Sequence, residues 1–402
     1  MAKKTKDIAL DFLRSISAVP IKTMQEARES LYAAVGEDKG KYLLNLLIRR
    51  RNSENADYTE YYSELYAADS SLMPAVGAID GDILRRICHW LEYHKRQLGK
   101  SLLDVGCGNG IITCFLAQQM PYARIVGIDC DDNAITAAQA LARKIGLQNV
   151  EFRAMSLGTL DESFDCVLTS RTLRENLTPG ELDPMALLNQ QAALYATRMQ
   201  TFARELCECT KYNGCVVSFE QLERKALYLG WMHAVNNEGL APVRQCQKEL
   251  QCVDITAPEG TLQTMMCIKG IPAGEQEIYQ SFIDPYREML KKGSWVLDGF
   301  EADVYLQTNH GALLEGYNAY FADGRKATRI AFWEDISDAN FFLSEQHLSN
   351  GTNKLFRCLM ATKPEETQSL HKDVNSFLSQ GWTVKELHYV DGAEFESDLP
   401  EK

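Results

Sequence analysis

Leu102-Leu-Asp-Val-Gly-Cys-Gly-Asn-Gly110 is the stretch on which the reading of this chain turns. Leu102, Leu103 and Val105 form a short apolar run that reads as a buried strand. Gly106, Gly108 and Gly110 follow it, and then Ile111, Ile112, Phe115 and Leu116 recur on one helical face. Glycines at such a junction let the backbone turn tightly and let a ligand approach without a Cβ in the way. Further strands are expected at residues 125–128, 150–152, 164–168 and 214–219, with helices between them. Asp131, Asp132 and Asn133 offer N-caps for one of those helices, and Gly146 a C-terminal stop. Strands alternating with helices predict an α/β fold with a doubly wound parallel sheet. Residues 245–253 and 262–269, joined through Pro258 and Gly260, read as an antiparallel hairpin at its end. The expected sheet is therefore seven-stranded with an antiparallel last strand.

Three domains are expected. Residues 1–95 read as a helical cap, with an amphipathic helix over 7–14, helices over 27–51 broken by the 36–40 turn, and another over 82–97. Tyr58, Tyr61, Tyr62 and Tyr66 form a lid over the site or simply pack on the core. Residues 96–270 hold the doubly wound sheet. After a linker at 271–274, residues 275–402 read as an α+β accessory domain. Its strands are expected over 303–333, with a turn at 322–325, and over 382–389; its helices over 338–347 and 365–379.

Composition limits the partners. The chain has 402 residues, with 42 Lys plus Arg against 55 Asp plus Glu, a net charge of −13. That balance argues against a broad electrostatic grip on nucleic acid, which relies on clustered cations. No apolar stretch approaches the roughly 18 residues of a membrane span. The start carries Lys3, Lys4 and Lys6, but Asp7, Asp11 and Arg14 interrupt the apolar residues after it, unlike a signal peptide. The twelve cysteines are scattered through expected helices and strands. They read as reduced, buried thiols of a cytoplasmic protein. Cys207 and Cys209 would lie roughly 200° apart on a helix, so no metal site is expected there.

Ligands of doubly wound sheets bind outside the carboxyl ends of the strands. Asp129 ends the second strand, 23 residues after Gly106, where a carboxylate can accept hydrogen bonds from a ribose diol. A dinucleotide turn would need glycine at its sixth position, which is Ile111 here, and its pyrophosphate would face the carboxylate of Asp104. A cationic ligand suits Asp104 better.

In these residues the chain resembles the class I S-adenosylmethionine-dependent methyltransferases. The resemblance covers residues 95–270. It rests on Asp104 before Gly106, Gly108 and Gly110, on Asp129 in Val126-Gly-Ile-Asp129, on Asn133-Ala-Ile135, on Phe164-Asp-Cys-Val-Leu168, and on the terminal hairpin. It implies S-adenosylmethionine as cofactor. Gly106, Cys107, Gly108 and Gly110 would cradle its methionine part, and Asp104 would help to place the amino group. Asp129 would take the ribose and Cys130 pack on the adenine. Many members have an acid after the third strand that reads the adenine amino group; here the position holds Ser156, a weaker acceptor, with the backbone of Leu157 beside it. Thr169, just after the fourth strand, completes the cofactor set.

Methyl transfer is an in-line displacement, so the protein mainly aligns the acceptor and excludes water. No universal catalytic residue follows from spacing; Glu175 and His233 are weak candidates for a base. The segment after the fourth strand, Thr169-Ser-Arg-Thr-Leu-Arg-Glu-Asn176, lacks the Asn/Asp-Pro-Pro-aromatic motif of methyltransferases acting on nucleic acid bases and glutamine. A small-molecule acceptor is expected. Arg171 and Arg174 would hold a carboxylate or phosphate on it, or be solvated or paired with Glu175. Rival readings are a protein methyltransferase docking through its C-terminal domain and a non-catalytic cofactor-binding protein. The sequence leaves the oligomeric state open.

Overall fold

The computed structural model describes residues 7–52, 72–180, 188–221, 225–254, 257–275, 277–278 and 281–282, and the strand backbone of 295–298, 312–321, 326–336, 339–348, 354–360 and 384–391. The four tyrosines of 58–66 and the helix expected over 365–379 lie outside these residues. The chain divides into two compact units. One comprises residues 1–178, 198–223 and 234–273; the other comprises 179–197, 224–233 and 274–402.

In the first unit, short-range sequence rules set the leading helices. Asp7 caps α1 (Ile8–Ser15) by accepting from the Leu10 amide. Thr23 and Glu26 form a reciprocal capping box on α2 (Met24–Val35). Gly36 then breaks the chain before α3 (Glu37–Asn52). α2 and α3 enclose a small apolar cluster with α4 (Leu72–Ile79), built on Leu31, Leu43, Leu46, Ala75 and Ile79. α5 (Gly81–His94) follows. α1 is pinned to it where Asp7 accepts from Nε and Nη2 of Arg85 at 2.9 and 2.7 Å. Phe12 of α1 meets Phe115 edge-on at 5.3 Å.

The sheet begins with β1 (Ser101–Val105), followed by α6 (Ile111–Gln119), β2 (Arg124–Asp129), α7 (Asp132–Lys144), β3 (Val150–Ala154) and β4 (Phe164–Ser170). α8 (Leu188–Glu208), β5 (Thr210–Glu220), α9 (Lys225–Asn237), β6 (Leu240–Pro242), β7 (Lys248–Asp254) and β8 (Ala257–Lys269) complete the series. The strand order is β3-β2-β1-β4-β5-β8-β6, with β7 also paired to β8. β3, β2, β1, β4 and β5 run parallel, and β8 runs antiparallel to β5. The inner strands are near-continuous apolar runs because both faces are covered. β6 and β7 share one edge of β8, pairing at Leu240↔Lys269 and Lys248↔Thr264. The sheet thus has eight strands, one more than the expected seven. The addition is the three-residue β6, too short to leave a hydrophobic period.

The second unit contains an antiparallel sheet of six strands, β9 (Trp295–Asp298), β10 (Ala312–Phe321), β11 (Lys326–Ile336), β12 (Ala339–Leu348), β13 (Lys354–Met360) and β14 (Val384–Asp391), in the order β14-β10-β11-β12-β13-β9. The helix expected over 338–347 is corrected to the strand β12. It is paired on both sides, with β11 and β13, and that pairing outweighs the local helical pattern. β10 and β11 pair antiparallel, and the turn expected at 322–325 between them lies outside the described residues. Among the described residues no helix is long and apolar enough to cross a membrane.

Candidate functional site

The sheet order reverses between β1 and β4, and the crevice outside the carboxyl ends of these strands is where such sheets hold ligands. Register fixes its contents. Val105 lies beside Ile128 on one side and Thr169 on the other, and Ser170 beside Phe219. The ends of β1, β2, β4 and β5 therefore converge here.

The turn from β1 into α6 has left-handed backbone at all three glycines, with φ of +68°, +52° and +74° at Gly106, Gly108 and Gly110. The neighbours explain the first and third. A Cβ at Gly106 would lie 2.5 Å from Cγ2 of Thr172, and one at Gly110 would lie 2.7 Å from Cβ of Ala138. Cys107 ties the turn to β2 by donating its amide to the Ile128 carbonyl at 2.9 Å. Its thiol is buried, which raises its pKa well above the ordinary value.

Asp104 is 1% exposed. Oδ2 accepts from the Thr113 hydroxyl at 2.5 Å, while Oδ1 has no hydrogen-bond partner among the described residues. Burial pushes its pKa up to about 7, against the Thr113 bond and helped by the nearby charge of Asp129. A buried carboxylate oxygen without a donor costs free energy and calls for a partner from outside the chain.

Asp129, at the end of β2, accepts the Gly108 amide on Oδ2 at 2.9 Å and the Asp131 amide on Oδ1 at 3.0 Å. Burial raises its pKa, and those amides oppose the rise. Each carboxylate oxygen keeps a second lone pair, so the group can still receive hydroxyl donors. Cys130 follows it and is exposed. The amide of Met155 donates to the Asp129 carbonyl at 2.9 Å, which brings the end of β3 alongside. Ser156 is exposed there, its hydroxyl 3.5 Å from that of Thr159, and Leu157 is buried. Thr169 is buried, its hydroxyl bonded to that of Thr172.

The segment after β4 is held from several sides. Arg171 takes a left-handed φ of +57°. Its amide donates to the Phe219 carbonyl at 2.8 Å, and its guanidinium donates to Asp80 at 3.0 Å. Arg171 is thus engaged by an acid of the helical layer. A non-glycine residue in this region costs about 1–3 kcal/mol and persists where its surroundings over-determine it.

Of the two weak base candidates, Glu175 is exposed on the turn after Arg174. His233 belongs to the second unit, where burial lowers its pKa and Glu275 opposes that. Three polar residues of the crevice carry no motif: Thr113, Thr172 and Glu220. For Glu220 one signal exists, a lone acid closing the apolar run Cys215-Val-Val-Ser-Phe219. It is 2% exposed, and burial pushes its pKa up to about 8. Among the described residues no cluster of His, Cys, Asp or Glu suits a metal ion.

This strand order, with an acid–Gly-x-Gly-x-Gly turn on β1 and an acid ending β2, is similar to that of the class I S-adenosylmethionine-dependent methyltransferases. Residues 97–263 match the family model described as a methyltransferase domain and are its counterpart here. Among similar proteins are a release factor glutamine methyltransferase of Koribacter versatilis, 32% identical over 127 residues, covering 31% of this chain and 45% of that one. EEF1A lysine methyltransferase 2 of Homo sapiens is 34% identical over 70 residues, 17% of this chain and 29% of that one. A ubiquinone biosynthesis O-methyltransferase of Pseudomonas fluorescens is 35% identical over 98 residues, 23% of this chain and 41% of that one. The chain spans less than half the length of each of these three relatives.

Proposed function

We propose that the chain transfers a methyl group from S-adenosylmethionine to a small-molecule acceptor. The observation that carries the cofactor is the Oδ1 atom of Asp104, buried and without a donor at the root of a left-handed glycine turn. An ammonium is the donor this atom lacks. Asp104 would hold that amino group, and Asp129 the ribose hydroxyls. Gly106, Cys107, Gly108 and Gly110 would form the cradle, with Cys130, Ser156, Leu157 and Thr169 around it. When bound, the cofactor supplies a methyl group already activated by a sulfonium. The chain's own residues orient the acceptor and exclude water. The small-molecule reading is supported by the segment after β4, which offers Ser170-Arg-Thr-Leu173 in place of a Pro-Pro-aromatic motif, and by the net charge of −13. A cytoplasmic location belongs to the same proposal; its support is that the eleven cysteines with described side chains are all free thiols.

A protein acceptor is the second reading. Two of the relatives above are named for methylating glutamine in release factors and lysine in EEF1A. Incubation of the full chain with methyl-tritiated S-adenosylmethionine and a fractionated extract separates the two. Label in the low-molecular-mass fraction supports the first reading and label in protein supports the second. Failure of the chain to bind S-adenosylhomocysteine in calorimetry would overturn both.

A further inference from the structure

Glu220 is the last residue of β5 and sits at the carboxyl edge of the sheet. Its two oxygens face two backbone donors: Oε1 accepts from the Thr172 amide and Oε2 from the Leu173 amide, each at 3.4 Å. Thr172 in turn lies against Gly106, where an added Cβ would meet its Cγ2 at 2.5 Å, and its hydroxyl bonds that of Thr169. One residue earlier, Arg171 is held left-handed by Asp80 and the Phe219 carbonyl. The turn over residues 170–176 is therefore fastened by a buried acid from below and by Asp80 at its side. The residue pressed onto the first glycine of the cradle is the one Glu220 holds.

We propose that Glu220 is a positioning residue of the methyl-transfer site: it latches the turn after β4 through the amides of Thr172 and Leu173 and so fixes one wall of the cofactor crevice. The inference rests on the methyl-transfer reading for its ligand, but the latch itself has a readout that needs no ligand. An ionised carboxylate offers each amide a full acceptor oxygen; the protonated acid spends one oxygen as a hydroxyl. The latch accordingly tightens as Glu220 loses its proton. The charged groups bearing on it are Glu175, which favours the neutral acid, and Arg171, which favours the carboxylate; Gln263, directly opposite on β8, is neutral.

The test compares the full chain with Glu220→Gln. Amide exchange of Thr172 and Leu173 without ligand should be roughly tenfold faster in the variant, while the amides of residues 215–218 are unchanged; charge-assisted bonds of this kind carry on the order of that factor. S-adenosylhomocysteine affinity measured by calorimetry should fall about five- to tenfold. It should rise between pH 6.5 and 9 in the wild type, and the rise should be smaller in the variant. If Glu220→Gln melts without cooperativity, Asp80→Asn releases the same turn from its other side and should speed the same two amides. Unchanged exchange at Thr172 and Leu173 in the folded variant would overturn the latch. Faster exchange with no S-adenosylhomocysteine binding by the wild type would overturn its cofactor role and the methyl-transfer reading together.

Discussion

Asp129 serves two purposes. Its oxygens already order the glycine turn and the start of α7 through the Gly108 and Asp131 amides, and in the proposed complex they would also accept from the ribose hydroxyls. Asp129→Ala should weaken S-adenosylhomocysteine binding by about 1.5–3 kcal/mol, roughly ten- to hundredfold, through lost charge-assisted hydrogen bonds. Unchanged affinity in calorimetry would remove Asp129 from the site. Asp104 gives a pH signature. Its folded pKa of about 7 lies above the ordinary value of 3.8, so the native state holds a proton that the unfolded chain releases earlier. Stability from this source is complete below the ordinary value and is lost as pH rises through about 7. The ligand-free protein should therefore lose part of its melting temperature between pH 5 and 8, and Asp104→Asn should reduce that loss. An identical pH profile for the two proteins in thermal unfolding would show that Asp104 is not the buried acid responsible. These two carboxylates were legible in the sequence because spacing from the glycines marks them. Glu220 left only the faint mark of a lone acid closing an apolar run, with no period and no partner nearby in sequence.

Among elements, the β1–α6 junction is the most constrained. Gly110 combines a φ of +74° with an Ala138 Cβ 2.7 Å and a Phe152 Cζ 2.9 Å from where its own Cβ would be. Gly110→Ala should push α6 away from α7 and β3 and cost about 2–4 kcal/mol of stability, from strain and overpacking together. A denaturant midpoint equal to wild type would contradict this packing. The sequence marked this junction well, because strand, glycines and amphipathic helix follow one another within 18 residues and each obeys a local rule. The helix α7 was marked as clearly by its cap at Asp131, and α1 by its amphipathic pattern over 7–14. β12 was not. Asn340-Phe-Phe-Leu-Ser-Glu345 is a short apolar cluster whose period is ambiguous, and what makes it a strand is pairing with β11 and β13, distant information that no local window contains. β6 was missed for the same reason, its three residues being defined only by β8.

On the scale of the whole chain, the acceptor is the open choice, and it has a clean measurement. We expect labelled methyl groups from S-adenosylmethionine to appear in small molecules when the full chain is given an extract, with transfer at least tenfold lower in Gly108→Val, where a branched side chain is forced into a φ of +52°. Equal transfer by that variant would place the chemistry elsewhere.

The pairing of Asp80 with Arg171 has a consequence for how the molecule can be divided. The family match starts at residue 97, yet Asp80 lies before it. So do Phe12, packed on Phe115, and Trp90, whose ring meets Phe219 edge-on at 5.2 Å. A fragment trimmed to the match would keep each glycine and carboxylate of the crevice while losing the tether of one rim and exposing the aromatic underside of the sheet. The leading helices are structural partners of the parallel sheet, and an engineer grafting this domain onto another protein would have to carry them along.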